Sequence, residues 1–205
     1  MKLANIDTTL YRIPLPVPIQ AASTAVMKGF DMVMVRVTDN EGNTGCGYTV
    51  MHEGFGGSIL ATVQENFTPW TLQQDPRRIE WIWRNLWRTH HYVGRGGIIA
   101  FAIAALDTAL WDLRGNTLGE PLWRLLGGYS PEVRAYAGNI DLNFPVDELL
   151  AGASKSLDAG FKSIKMRLGK PTLGEDLARV SAMREHLGSD IELMADANEA
   201  WRTDQ

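Results

Sequence analysis

A chain of 205 residues with 45% hydrophobic and 21% charged content has enough apolar sequence for two cores, and two domains are expected. Its formal charge of -4 is spread along the sequence, which excludes the basic footprint of a nucleic-acid or anionic-lipid binder. The single cysteine, Cys46, excludes an internal disulfide, and no basic stretch precedes an apolar segment, so neither secretion nor a membrane span is indicated and a cytoplasmic location is expected.

Polar and apolar residues mix over residues 2–13 as in a strand, which Pro14, Pro16 and Pro18 should end because proline supplies no ladder donor. A loop follows to about Gly29. The β-forming run 32–37 and the turn chemistry of Asp39-Asn40-Glu41-Gly42-Asn43, leading to a strand through Cys46 and Tyr48, predict an antiparallel meander. After a glycine-rich loop (Gly54, Gly56, Gly57) the pattern becomes helical, with Pro76 near the first turn of a segment carrying Ile79, Ile82, Trp83, Leu86 and Trp87. A longer helix is expected over residues 97–114, buried between layers because Phe101, Ala105, Leu106, Ala109, Leu110 and Leu113 leave it little polar surface. Trp70, Trp81, Trp83, Trp87 and Trp123 accompany apolar periodicity or a turn and are read as packing rather than ligand-stacking residues. This first portion is α+β.

Beyond Gly127-Gly128 the rhythm becomes strand then helix: strand 133–139, helix 145–159, strand 161–167, helix 174–187, strand 191–196. Strands recurring at this interval with helical crossovers predict a parallel sheet. Three strands cannot close a barrel; a (β/α)8 architecture would need five more units, on the order of 150 residues. The chain therefore reads as the N-terminal portion of a longer enzyme, with a third helix expected to begin at its end.

Alternation along a strand puts Phe161, Ser163, Lys165 and Arg167 on one face and Ile164 and Met166 on the other. Two cations at the end of a buried strand each need an anion or water. By the same parity Asp196 and Asn198 share a side at the end of the next strand. There Asp196 could ligate a hard cation such as Mg2+, with Asn198 orienting it, or could instead cap a following helix. A carboxylate beside two cations points to a metal-assisted site for an anionic substrate.

Ala102-Ile103-Ala104-Ala105-Leu106-Asp107-Thr108-Ala109-Leu110-Trp111-Asp112-Leu113-Arg114-Gly115, continuing to Pro121-Leu122-Trp123-Arg124-Leu125-Leu126-Gly127, with the strand-end motifs Lys165-Met166-Arg167 and Asp196-Ala197-Asn198, resembles the mandelate racemase/muconate lactonizing enzyme family of the enolase superfamily. The resemblance covers essentially the whole chain. It implies an α+β capping domain at residues 1–128, followed over 129–205 by the first βα units of an incomplete (β/α) TIM-like barrel. It further implies Mg2+ held by three acidic residues on consecutive strands, of which Asp196 would be the first. The other two ligands and a His-Asp dyad would lie outside this sequence, so the chain alone is expected to be inactive. A small-molecule acid-sugar substrate, a role in carbohydrate catabolism and a homo-oligomer of the complete protein are implied in the same way.

In that superfamily a Lys or His base removes the proton beside a carboxylate while Mg2+ stabilises the ene-diolate. Charge developing on the carboxylate has to meet preorganised positive charge, which Lys165 or Arg167 could supply. Many members carry lysine at both ends of the triplet, the second acting as base. This chain has Arg167 there, and a guanidinium with a pKa above roughly 12 is a poor base near neutral pH. Arg167 therefore reads as a substrate or leaving-group contact, and dehydration of an acid sugar, a carbon–oxygen lyase reaction, is the first expectation. Racemisation or epimerisation of a 2-hydroxy acid is the alternative should Lys165 act as base, and a non-catalytic fragment or interaction module is the alternative of another class.

The resemblance places substrate-selecting lids at residues 19–27 and 50–57; His52 in the second could contact substrate, although a loop histidine is more often simply solvated. His90, His91, Tyr92 and Arg95 fall between helices near glycines and are read as turn and capping chemistry. His186, near a helix end, is placed to interact with the helix dipole.

Overall fold

The computed structural model describes residues 1–20, 25–139 and 141–202. Residues 21–24, within the lid expected at 19–27, and 203–205, where a further helix was expected to begin, lie outside the described residues. Two compact units are present, one formed by residues 1–15 with 29–131 and the other by residues 16–28 with 132–205.

The first unit is built on an antiparallel sheet of order β1-β2-β3, comprising β1 (Leu3–Ile19), β2 (Met27–Asp39) and β3 (Thr44–His52). In β2 the alternation is complete, with Val33, Val35 and Val37 buried on one face. The β2–β3 turn is held by the Asp39 carboxylate, which accepts the backbone N–H groups of Glu41 and Asn43. The expected stop at the prolines is corrected, since β1 runs through Pro14, Pro16 and Pro18 to Ile19. These prolines alternate on the edge strand of the sheet, so their missing N–H groups fall on one side, the arrangement an edge strand tolerates.

The loop expected around Gly56 is also corrected. Helix α1 (Gly56–Ala61) continues through a π-helical turn (Thr62–Phe67) into α2 (Thr68–Thr71). Ile59, Val63, Phe67 and Thr71 are fully buried at a spacing of four, one stripe of a helix. Buried Asp31 fixes its start by accepting the N–H groups of Gly54 and Gly56. Helix α3 (Ile79–Thr89) presents Ile79, Ile82 and Leu86 to the core. His90 and His91 then bond the carbonyls of Leu86 and Arg88 at 2.8 Å each, the expected capping role.

Helix α4 (Ile98–Leu118) lies against β3 so closely that a Cβ on Gly47 would stand 2.2 Å from the Ala105 carbonyl oxygen, and one on Gly45 2.2 Å from the Leu113 nitrogen. The expected burial between layers holds for Ala102, Ile103, Leu106 and Leu110, which share a core with residues of α1 and α3, whereas Ile98, Phe101 and Leu118 are exposed. Trp81, Trp83 and Trp87 pack on the core, whereas Trp123 is exposed and the equally open Trp70 stacks on Trp81. A short helix α5 (Leu122–Leu125) follows.

The second unit is a parallel sheet of order β4-β5-β6, with β4 (Ala137–Gly138), β5 (Ser163–Arg167) and β6 (Glu192–Asp196) joined by α6 (Val146–Asp158) and α7 (Leu173–Leu187). Leu149 and Ala153 of α6 and Met183 and Leu187 of α7 pack with Ile164 and Met166. Helix α7 begins in a capping box between Thr172 and Glu175. The strand expected at 133–139 is reduced to two residues. Its first part is exposed, and Arg134 there reaches Glu192 at 2.6 Å and the Ser163 hydroxyl at 3.1 Å. No helix among the described residues is long and apolar enough to cross a membrane.

Candidate active site

Strands β5 and β6 pair in parallel with Arg167 opposite Asp196 and Lys165 opposite Met194. Ile164 and Met166 are buried on the helix-covered face, so Lys165 and Arg167 project from the other, as alternation predicts. Both meet one oxygen. The Lys165 ammonium lies 2.8 Å from Asp196 Oδ2, and Arg167 donates to the same atom. Lys165 also lies 5.8 Å from the centre of the Tyr136 ring, and Arg167 Nε donates to the Asn139 carbonyl at 3.2 Å.

The Lys165 ammonium, the Asn198 backbone N–H and the Arg167 charge pull the Asp196 carboxyl down to about 2. Asn198 lies beyond the strand, so the parity expected for it does not apply. Its φ is 46°, and its backbone N–H, not its side chain, steadies Asp196 Oδ1 at 2.9 Å. The side-chain Oδ1 of Asn198 is buried and has no hydrogen-bond partner among the described residues. Asp196 caps no helix, since a turn closed by Ala200 N–H on the Ala197 carbonyl follows it.

An ionised carboxylate is the right donor for a hard cation, so Asp196 fits one corner of a magnesium site. Among the described residues no group of three His, Cys, Asp or Glu side chains could hold a metal. His52 ends β3 in the other unit, exposed and opposite Phe30, which corrects the expectation of a loop at 50–52. His186 bonds the Ser154 hydroxyl at 2.8 Å, a side-chain partner the sequence did not reveal.

Sequence reasoning missed three buried charges behind the trio. Asp141 Oδ1 accepts the backbone N–H of Arg167 at 3.0 Å. Arg179 of α7 donates to the carbonyls of Asp141 and Phe144 at 3.0 and 2.9 Å. One helical turn earlier, Asp176 accepts the N–H groups of Gly169 and Lys170. The available signal was that Asp176 and Arg179 fall on the same helix face as the apolar Val180 and Met183.

The family profile described as the mandelate racemase / muconate lactonizing enzyme N-terminal domain matches residues 5–127. The chain belongs to this family. A second profile, enolase C-terminal domain-like, matches residues 148–205, so the chain holds the family's N-terminal domain and the start of the domain that follows. A 3,6-anhydro-alpha-L-galactonate cycloisomerase of Streptomyces coelicolor is 45% identical over 202 residues, covering 98% of this chain and 56% of that protein. The crystal structure of a racemase from Streptomyces coelicolor A3(2) with bound magnesium superposes with a TM-score of 0.96 at 44% identity, over 98% of this chain and 57% of that one. An L-talarate dehydratase from Polaromonas sp. JS666, complexed with Mg and L-glucarate, gives a TM-score of 0.89 at 32% identity, over 98% and 55%. The chain thus spans somewhat more than half the length of these relatives.

Proposed function

We propose that this chain supplies the first part of the active site of a Mg2+-dependent dehydratase acting on a sugar-derived hydroxy carboxylate. The observation that carries the proposal is the Asp196 carboxylate, kept ionised between two cations projecting from the neighbouring strand. In this reading residues 1–128 are the capping domain and 129–205 open a (β/α) barrel. Asp196 is a metal ligand steadied by the Asn198 N–H, Lys165 faces charge that builds on the substrate, and Arg167 contacts the oxygen that departs. His52 is a substrate contact from the capping domain.

A base takes the proton from the carbon beside the carboxylate, the electron pair forms a carbon–carbon double bond, and the bond from the β-carbon to oxygen breaks; an acid gives the departing hydroxyl a proton so that it leaves as water, and the enol takes a solvent proton at the β-carbon to become a 2-keto acid. Bound Mg2+ supplies positive charge against the carboxylate oxygens. Arg167 suits the departing oxygen because a guanidinium stays protonated and donates in a fixed fork.

The 45% identical cycloisomerase favours a second reading with the same bond changes. Where the β-oxygen is an anhydro bridge, elimination opens the ring and the oxygen stays attached as a hydroxyl, so the product is an isomer. The racemase description of the magnesium-bound relative supports a third, which requires an efficient base on each face of the carbon; Arg167 is poorly suited to that task.

The 205-residue chain alone is expected to show no turnover, and its fusion to the remaining barrel of the Streptomyces coelicolor relative to be active. With Mg2+ in deuterium oxide, the fusion should convert an aldonate or aldarate to a 2-keto acid lighter by one water. A product that retains the β-oxygen and gains only deuterium after opening of an anhydro-aldonate assigns the cycloisomerase; α-proton exchange with no bond to the β-oxygen broken assigns the racemase; either outcome overturns the dehydratase. K165A should lower kcat/KM by about a thousandfold, as removal of a preorganised charge does.

A further inference from the structure

Behind the strand-end trio lies a buried charged pair, Asp141 and Arg179. Strand β4 comprises Ala137 and Gly138, and Asn139 continues alongside β5. Asn139 N–H reaches the Lys165 carbonyl at 3.4 Å, while its own carbonyl takes Arg167 Nε. The Arg167 N–H is taken by a side chain, Asp141 Oδ1 at 3.0 Å. Asp141 is 2% exposed, a costly place for a carboxylate without compensation. Burial pushes its carboxyl up, opposed by the Arg167 N–H and the Arg179 charge.

Arg179, 4% exposed, reaches across from α7. Its guanidinium donates to the carbonyls of Asp141 and Phe144 and lies 3.9 Å from Asp141 Oδ1. These bonds clamp the turn 141–144 at both ends and set where the Asp141 carboxylate stands. The carboxylate sets where the Arg167 backbone stands, and the Arg167 side chain, tethered to the Asn139 carbonyl, follows toward Asp196.

We propose that Asp141 and Arg179 are positioning residues, which hold Arg167 in the orientation that faces Asp196 by giving its backbone N–H a buried side-chain acceptor. Their importance to turnover rests on the role proposed for Arg167 above; the geometric claim does not.

The test reads Arg167 directly, by 15N NMR of the 205-residue chain without metal or substrate. D141A removes the acceptor, and exchange of the Arg167 amide is expected to quicken by about tenfold or more, as loss of a charge-assisted bond implies, with its Nε–H cross-peak moving toward that of a free arginine side chain. D141N keeps an oxygen in place and should leave both signals near the wild type. R179M should act like D141A, and D141N/R179M should regain protection because no buried carboxylate is then left unpaired.

The proposal is overturned if D141A lowers the melting temperature while the Arg167 amide and Nε–H keep their wild-type behaviour, or if D141N disturbs Arg167 as much as D141A does. Should D141A fail to fold, R179M and the double variant decide: equal disturbance of Arg167 in both overturns it, and recovery in the double variant supports it. Because no substrate is present, this result is independent of whether the elimination is found.

Discussion

Asp107 sits on α4 one turn before Trp111, and burial first, then the Glu80 charge, pushes its carboxyl up to about 6. An acid whose folded value is raised favours folding in its protonated form, so its contribution is fully present below the ordinary value of 3.8 and is lost as pH rises through about 6. Asp107→Asn should therefore stabilise the chain by about 1–2 kcal/mol near neutral pH and leave it unchanged below pH 4 or so. Paired denaturant melts at the two pH values check this; a pH-independent difference would contradict it. Asp196 carries the opposite sign, for its value falls from 3.8 to about 2, and the stability it provides disappears only as pH drops through that lower value.

Between elements, the tightest seam is β3 on α4. Gly47→Ala would drive a methyl group into helix backbone, an overpacking with no flexible side chain to yield, and should cost on the order of 3 kcal/mol. Gly57→Ala, with nothing within 4 Å of the added carbon, should be neutral or slightly stabilising; chemical denaturation of both variants tests the contrast. Much at this scale was legible. The alternation of β2, the apolar run of α4 and the crossovers α6 and α7 all appear where periodicity puts them. Three features escaped for physical reasons. The stripe Ile59, Val63, Phe67 and Thr71 was hidden behind glycines that read as a loop, although Gly56 and Gly57 begin the helix. Proline at alternate positions looked like a strand terminator because edge position is a tertiary fact. The Thr172–Glu175 capping box was present as a motif, but the helix start was assigned from apolar spacing alone.

For the molecule as a whole, the trio at the strand ends was readable because alternation is a local rule and parallel strands end together. Its support was not: that Asp141 reaches Arg167, and that Arg179 reaches back to Asp141, depends on a turn whose partners lie 26 and 38 residues away. The two sheets also differ in what their edge strands present. In β6, Glu192 N–H and the Asp196 carbonyl bond toward β5, which turns the backbone groups of Leu193 and Ala195 to the unpaired edge. Such an edge recruits strands, so the chain should self-associate with rising concentration, and Ala195→Pro, which removes an outward donor and spares the β5 ladder, should weaken association by about tenfold. Sedimentation velocity over a concentration series measures it. At β1 the imino nitrogens of Pro14, Pro16 and Pro18 remove donors from one stretch of the strand, so an incoming backbone finds fewer partners there than along β6.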